Sequence, residues 1–293
     1  VSPDQGPSTP KTTERQRQAQ RSQEVTLANG VNGIGGGTRG ITSGSGGRAR
    51  RGGRGGRGSR AAKASMWKSR YQVPTFQFDL DPRRLLFVDT LDGLESAREI
   101  LSRAVLVGID TETHPSFEVG EWHPTSLLQM GTRDARGEED VIVLDLLAFQ
   151  DELRLPDAVH DTLEVLFGSS SVAKVGVGLQ DDLEQLAFAY EGTPFLKSVP
   201  GMVNLSDLHS RLEQVPPGAQ PSLRKLTELH LGVTLSKSCQ ISSWGRRPLH
   251  QKQIKYAACD ALVALRIYDA ILRKVGQVDL DKLSTTWLPR PAP

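Results

Sequence analysis

The 293-residue sequence predicts an α/β fold, a sheet covered by helices and preceded by a disordered basic tail. Three observations lead there. Strand-length apolar runs come early, and helical periodicity interleaves with them and then trails toward the C-terminal end. Residues 66–293 have the size and apolar patterning of one sizeable domain, with no internal repeat. Residues 1–65 have neither, being dominated by Gly, Ser, Arg, Gln and Thr with apolar residues scattered singly.

Taken in order, the folded part opens near Trp67–Phe78, followed by the short apolar run Leu85–Val88 and a helix over Leu91–Ser102. Ala104–Ile109 (AVLVGI) is a continuous apolar run ending at Asp110, the pattern of a buried strand. Ser126–Thr132 (SLLQMGT) and Val141–Leu146 (VIVLDL) read as two more strands around the polar turn Arg133–Asp140. A helix fits Val159–Phe167, a strand Val172–Val177 (VAKVGV), and a further helix Asp181–Tyr190, with Leu183, Leu186 and Ala187 on one face. After Gly201 the pattern predicts helices only, over Leu205–Gln214, Ser222–Leu231 and about Gln251–Val275.

The charge is as uneven as the composition. Residues 1–65 carry twelve Lys/Arg against Asp4, Glu14 and Glu24, a net of +9, so the remainder carries −7 beneath a total of +2. Such a tail cannot bury enough apolar surface to offset its ordering entropy. Within it, GSGGRARRGGRGGRGSRAAK (44–63) holds seven basic residues and no acid. Arg51, Arg54, Arg57 and their neighbours can grip phosphates non-specifically, or simply make a solvated linker. Two cysteines, Cys239 and Cys259, are too few for a disulfide framework or a four-thiolate zinc site and fit a reducing compartment. No apolar run approaches a membrane span and no signal-peptide pattern opens the chain. The expectation is an intracellular protein, in nucleus, cytoplasm or an organelle, with no membrane partner.

The acids carry the chemistry. Asp110 and Glu112 stand at alternate positions after an apolar run, so both side chains point to one face of a sheet. Asp182 opens a helix after a strand and loop, and Asp260 lies four residues beyond Tyr256 in YAACDALVALRIY, on the same helical face. Four carboxylates beside apolar sequence are costly to gather unless cations neutralise them. Carboxylate oxygens suit Mg²⁺ or Mn²⁺, and two such ions roughly 3.5–4 Å apart stabilise both oxygens of a phosphodiester displacement. In that scheme Tyr256 orients the attacking water. Taken one at a time, a D-x-E after a strand is more often a surface turn, and Y-x-x-x-D is ordinary amphipathic spacing.

Together and in this order, the segments resemble the DEDDy exonucleases, the group containing RNase D and the Werner-syndrome exonuclease. The resemblance rests on V-G-I-D-T-E-T at 107–113, T-S-L-L-Q-M at 125–130, K-V-G-V-G-L-Q-D-D-L-E-Q-L at 174–186 and S-S-W-G-R-R-P-L-H-Q-K-Q-I-K-Y-A-A-C-D-A at 242–261. It spans roughly residues 85–275, nearly the whole folded part. What it implies is an RNase H-like mixed sheet flanked by helices, and two-metal hydrolysis from the 3′ end of single-stranded RNA or DNA. Carried over, Asp110 and Glu112 are the first-motif acids, Asp182 rather than Asp181 the second-motif acid, and Tyr256 and Asp260 the third motif. No signature acid is missing, which implies an active enzyme.

The chain departs from Werner-type sequences at Thr113-His114-Pro115, where those have Trp, which leaves His114 as a substrate contact or an ordinary loop histidine. Trp244-Gly245-Arg246-Arg247-Pro248-Leu249 looks like the Nibbler-type branch, which acts on RNA. Arg246 and Arg247 either contact phosphates or pair with acids of this acidic domain, and Lys237 is open in the same way. His123, His160, His209, His230 and His250 show no metal-ligand spacing. The alternatives are a DNA 3′→5′ exonuclease of Werner type and, from another class, an inactive nucleic-acid-binding adaptor. A third reading makes the acids helix caps and solvated turns.

Overall fold

The computed structural model describes residues 73–118, 120–151, 154–190, 192–213, 220–275 and 284–289. The tail expected over 1–65, with Arg51, Arg54 and Arg57, lies outside the described residues, as does Trp67.

Seven strands form one mixed sheet: β1 (Leu85–Val88), β2 (Ala104–Thr113), β3 (Thr125–Asp134), β4 (Glu139–Asp145), β5 (Ala173–Gly176), β6 (Val199–Asn204) and β7 (Thr285–Trp287). Their order across the sheet is β1-β4-β3-β2-β5-β6-β7, which puts the acid-bearing β2 at the centre. It pairs antiparallel with β3 and parallel with β5. The helices are α1 (Leu91–Arg103), α2 (Leu146–Phe149), α3 (Asp157–Phe167), α4 (Leu179–Ala189), α5 (Leu205–Leu212), α6 (Leu223–Leu231) and α7 (Gln251–Val275).

Local chemistry sets the helix starts. Thr90 accepts a hydrogen bond from the Gly93 amide at 3.2 Å to begin α1, and Asn204 and Ser222 do the same for α5 and α6 at 3.0 and 3.3 Å. Gly178 caps α4 with φ at +74°, a left-handed turn that glycine adopts without strain. Strand alternation then divides the core. Leu106, Leu127, Val141, Val143 and Val175 join the apolar cluster beneath α7, and Val107, Ile109, Leu128, Met130, Ile142 and Leu144 are buried on the other face. Helices α1 and α4 pack against sheet strands, with α3 against α1.

The strand and helix expectations through α4 hold, with boundary shifts, as do the three later helices, and residues 242–250 between the last two are irregular. Three differences are informative. β2 does not end at Asp110 but runs on to Thr113, because its ladder with β3 continues through Glu112↔Leu127 whatever the side chains' polarity. β6, which starts at Val199 and runs past Gly201, and β7 depart from the all-helical pattern expected after Gly201. β6 contains Pro200 and Gly201, which weaken a strand pattern, and β7 is three residues long. The α2 turn was not expected, since Val141–Leu146 read as a single strand. Between β2 and β3 the Phe117 and Glu118 amides donate to the Glu121 carboxylate at 2.8 and 3.2 Å.

Candidate active site

The site begins with a close approach. Gly108 and Gly131 are cross-strand partners on β2 and β3, and α7 crosses over them. A β-carbon at Gly131 would lie 2.9 Å from the Ala261 carbonyl oxygen, and one at Gly108 closer still. Only glycine lets the helix backbone come so near. Two residues along β2 on the same face is Asp110, and two further is Glu112. One residue before Ala261 on the helix is Asp260.

Those three acids meet. One carboxylate oxygen from each of Asp110, Glu112 and Asp260 lies within 4.8 Å of the other two, the one group of three or more His, Cys, Asp or Glu with ligand spacing among the described residues. Asp260 is 6 % exposed, while Asp110 and Glu112 keep partial access. Asp182 is not within that spacing. It comes from α4, where its carboxylate accepts a 2.7 Å hydrogen bond from the Thr111 hydroxyl. Thr111 sits between the two strand acids and faces the other way, so β2 engages both helices at once. The sequence showed Thr111 in plain view within D-T-E, yet nothing in the spacing marked it as a tie to Asp182.

Electrostatics follow from this crowding. Burial, then the charges of Asp182, Asp260 and Glu112, hold the Asp110 carboxyl well above the usual range. Burial, then Asp260 and Asp182, push Glu112 up to about 9. Burial lifts Asp182 and Asp260 each to about 7, against the Thr111 hydroxyl in one case and the Tyr256 hydroxyl in the other. Among the described residues no lysine or arginine is a cause of the shift at any of the four. Carboxylates gathered without a basic partner either stay protonated or take up cations. An oxygen-rich, desolvated cluster of this kind fits a divalent ion.

Tyr256 hydrogen-bonds Asp260 from one helical turn away, and burial with the nearby acids holds its phenol above the ordinary value. Its ring lies 6.0 Å from that of Trp244, which is fully buried. His114, just past β2, has its ring 4.6 Å from His123 in an edge-on arrangement, and its Nδ1 accepts from the Gly245 amide at 3.5 Å. It thereby ties the end of β2 to the Trp244 segment. Arg246 and Lys237 are exposed. Arg247 pairs with an acid: Nε and Nη2 donate to the two Asp145 oxygens, each at 2.5 Å. Of the two readings left open for Arg247, acid pairing is the one its guanidinium makes in the described structure. His209 Nδ1 and His230 Nε2 share a 2.9 Å hydrogen bond between α5 and α6.

A 3′-5′ exonuclease family model matches residues 85–276, a stretch that contains the whole carboxylate cluster and spans most of the sheet. The chain belongs to that 3′-5′ exonuclease family. The family also accounts for the sequence-level resemblance, whose motifs lie within the matched stretch. The chain is similar to the Aedes aegypti exonuclease mut-7 homolog, 28 % identical over 226 residues, covering 73 % of this chain and 30 % of that protein. It is 27 % identical over 197 residues to ribonuclease D of Gluconacetobacter diazotrophicus, covering 66 % of this chain and 44 % of that one. Among solved structures, the Aedes aegypti Nibbler EXO domain superposes with a TM-score of 0.59 at 26 % identity, covering 71 % of this chain and 97 % of that domain. The chain thus spans less than half the length of these two curated relatives, while the Nibbler domain is covered almost whole. The mixed seven-strand sheet with flanking helices is the RNase H-like fold of DEDD exonucleases. Among the described residues no helix is long and apolar enough to cross a membrane.

Proposed function

We propose that this 3′-5′ exonuclease domain removes nucleotides from the 3′ end of single-stranded RNA, with Asp110, Glu112, Asp182 and Asp260 holding two divalent cations, Mg²⁺ or Mn²⁺. One observation carries the reading: three carboxylates from a strand and a helix converge within 4.8 Å, with no basic side chain among the described residues acting on them. A helix cap or solvated turn explains none of that convergence. An adaptor that bound phosphate through this face would be repelled by the same charges.

The roles follow from position. Asp110, Glu112 and Asp260 face one another as inner ligands, and Asp182, held by Thr111, completes the set from the other helix. When bound, divalent cations neutralise these carboxylates and stabilise charge on the phosphate oxygens of the displacement. Tyr256 keeps its proton and so acts as a hydroxyl that orients the attacking water beside Asp260. His114 and Arg246 are placed to meet the substrate chain: one lies at the end of β2, the other on the exposed segment after Trp244. RNA is favoured over DNA because one relative is named ribonuclease D and the Trp244–Leu249 segment resembles the Nibbler-type branch. Residues 1–65, with Arg51, Arg54 and Arg57, add a non-specific grip on phosphates.

The test is a side-by-side digestion of 5′-labelled single-stranded RNA and DNA of one sequence, in Mg²⁺, Mn²⁺ or EDTA. A metal-dependent ladder, faster on RNA, supports the reading. A faster ladder on DNA moves the domain to the Werner-type alternative, and tight binding with no ladder to the adaptor.

A further inference from the structure

Arg247 lies at the centre of a chain of contacts that takes no part in gathering the carboxylates, yet ends on one of the reacting groups. Its guanidinium uses all three nitrogens. Nε and Nη2 donate to Asp145, Nη1 donates to the Trp244 carbonyl at 2.6 Å and to the Arg246 carbonyl at 2.9 Å, and Nη2 reaches the Ser126 carbonyl at 3.5 Å. Asp145 is 1 % exposed and is itself fixed, since its carboxylate accepts from the Ala148 amide at the start of α2. The ion pair therefore anchors the irregular 242–250 segment to the end of β4 and the start of β3.

From there the contacts lead inward. Trp244, whose carbonyl Arg247 holds, is wholly buried and rests against Tyr256 with ring planes 45° apart. Tyr256 in turn hydrogen-bonds Asp260. A lysine at 247 could offset the charge of Asp145, but it has no planar fork with which to hold a carboxylate edge-on and a carbonyl at the same time.

We infer that Arg247 is a positioning residue for Tyr256: locked to Asp145, it fixes the Trp244 ring against which Tyr256 rests, and so sets where the Tyr256 hydroxyl stands beside Asp260. This rests on the proposed role of Tyr256. A merely structural ion pair predicts lower stability and an equal loss of rate whatever residue stands at 256. Positioning predicts coupling to the hydroxyl itself.

The experiment is a double-mutant cycle on the full chain, Arg247→Lys crossed with Tyr256→Phe. Its readouts are kcat and KM on 5′-labelled single-stranded RNA, the Mn²⁺ dissociation constant by calorimetry, and Tm. Arg247→Lys is expected to lower kcat about tenfold when Tyr256 is present and less than about twofold when Phe replaces it, with KM and Mn²⁺ affinity unchanged. An equal loss of kcat in both backgrounds overturns the inference. So does a loss confined to KM or Mn²⁺ affinity, or a Tyr256→Phe enzyme as fast as the unaltered one. Should Arg247→Lys fail to fold, Trp244→Phe takes its place in the cycle, with the same non-additivity expected and the same additivity decisive against it. Absence of any metal-dependent cleavage by the unaltered chain removes the underlying functional reading instead.

Discussion

Gly108 on β2 and Gly131 on β3 are direct cross-strand partners, and the Ala261 carbonyl of α7 lies over both. This contact decides how near Asp260 comes to Asp110 and Glu112. It separates scaffold from chemistry, because neither glycine has a side chain to contribute to the reaction.

Gly108→Ala is expected to push α7 off the sheet. Overpacking of this kind costs about 1–3 kcal/mol, and the cleavage rate falls because Asp260 retreats from the strand acids. Thermal denaturation and single-turnover cleavage measured together check this. A variant with unaltered Tm and rate shows that the helix does not need the approach.

Asp110→Asn and Asp260→Asn are each expected to reduce cleavage by on the order of a thousandfold or more, while raising the Tm of the metal-free protein. The second effect distinguishes a ligand from a structural acid. Each substitution replaces a carboxyl whose ionised form is disfavoured by burial, and at Asp110 also by the neighbouring acids, so at a pH high enough to ionise it the metal-free stability goes up as activity goes down. Melting curves in EDTA settle the direction, and a lower Tm in either variant contradicts the crowding on which the site assignment rests.

The acids were legible in the sequence because Asp110 and Glu112 interrupt an otherwise apolar strand at alternate positions, and because Tyr256 and Asp260 are one helical turn apart. Much of the scaffold around them was not. Arg247 finds Asp145 from 102 residues away, and no local pattern selects that acid from the many in an acidic domain. The strand β2 outran its apolar stretch because pairing with β3, not hydrophobicity, extends it through Glu112. Strands β6 and β7 escaped notice since Pro200 and Gly201 mask one and three residues leave no period to read in the other.

Stability without cations is expected to fall as pH rises from about 5 to about 8. In the folded chain Asp182 and Asp260 keep protons up to about 7 and Glu112 up to about 9. Unfolded carboxyls release theirs near about 4. Over this window the folded state binds more protons than the unfolded state, so raising the pH favours unfolding. At the top of this window Lys174, pushed down to about 8 by burial, begins to give up its own proton in the folded state and opposes the trend there. Urea denaturation at pH 5, 6.5 and 8, in EDTA and in Mn²⁺, measures the effect. Mn²⁺ is expected to stabilise most at the upper end, and an equal gain at all three values counts against carboxylate titration.

Tyr256→Phe is expected to lower kcat by roughly 10- to 100-fold with KM within about twofold, since an oriented water matters to the reaction and not to substrate binding. Steady-state kinetics on single-stranded RNA give both constants. A raised KM at unchanged kcat would make Tyr256 a binding residue instead.

Calorimetric titration of Mn²⁺ into the metal-free full chain, set beside Asp110→Asn and Asp260→Asn, tests the central claim most directly. Saturable binding by the unaltered protein, weakened at least about tenfold in each variant, is the predicted result. Equal Mn²⁺ affinity in all three proteins would contradict it, because the carboxylates gathered beneath α7 would then not be what holds the ion.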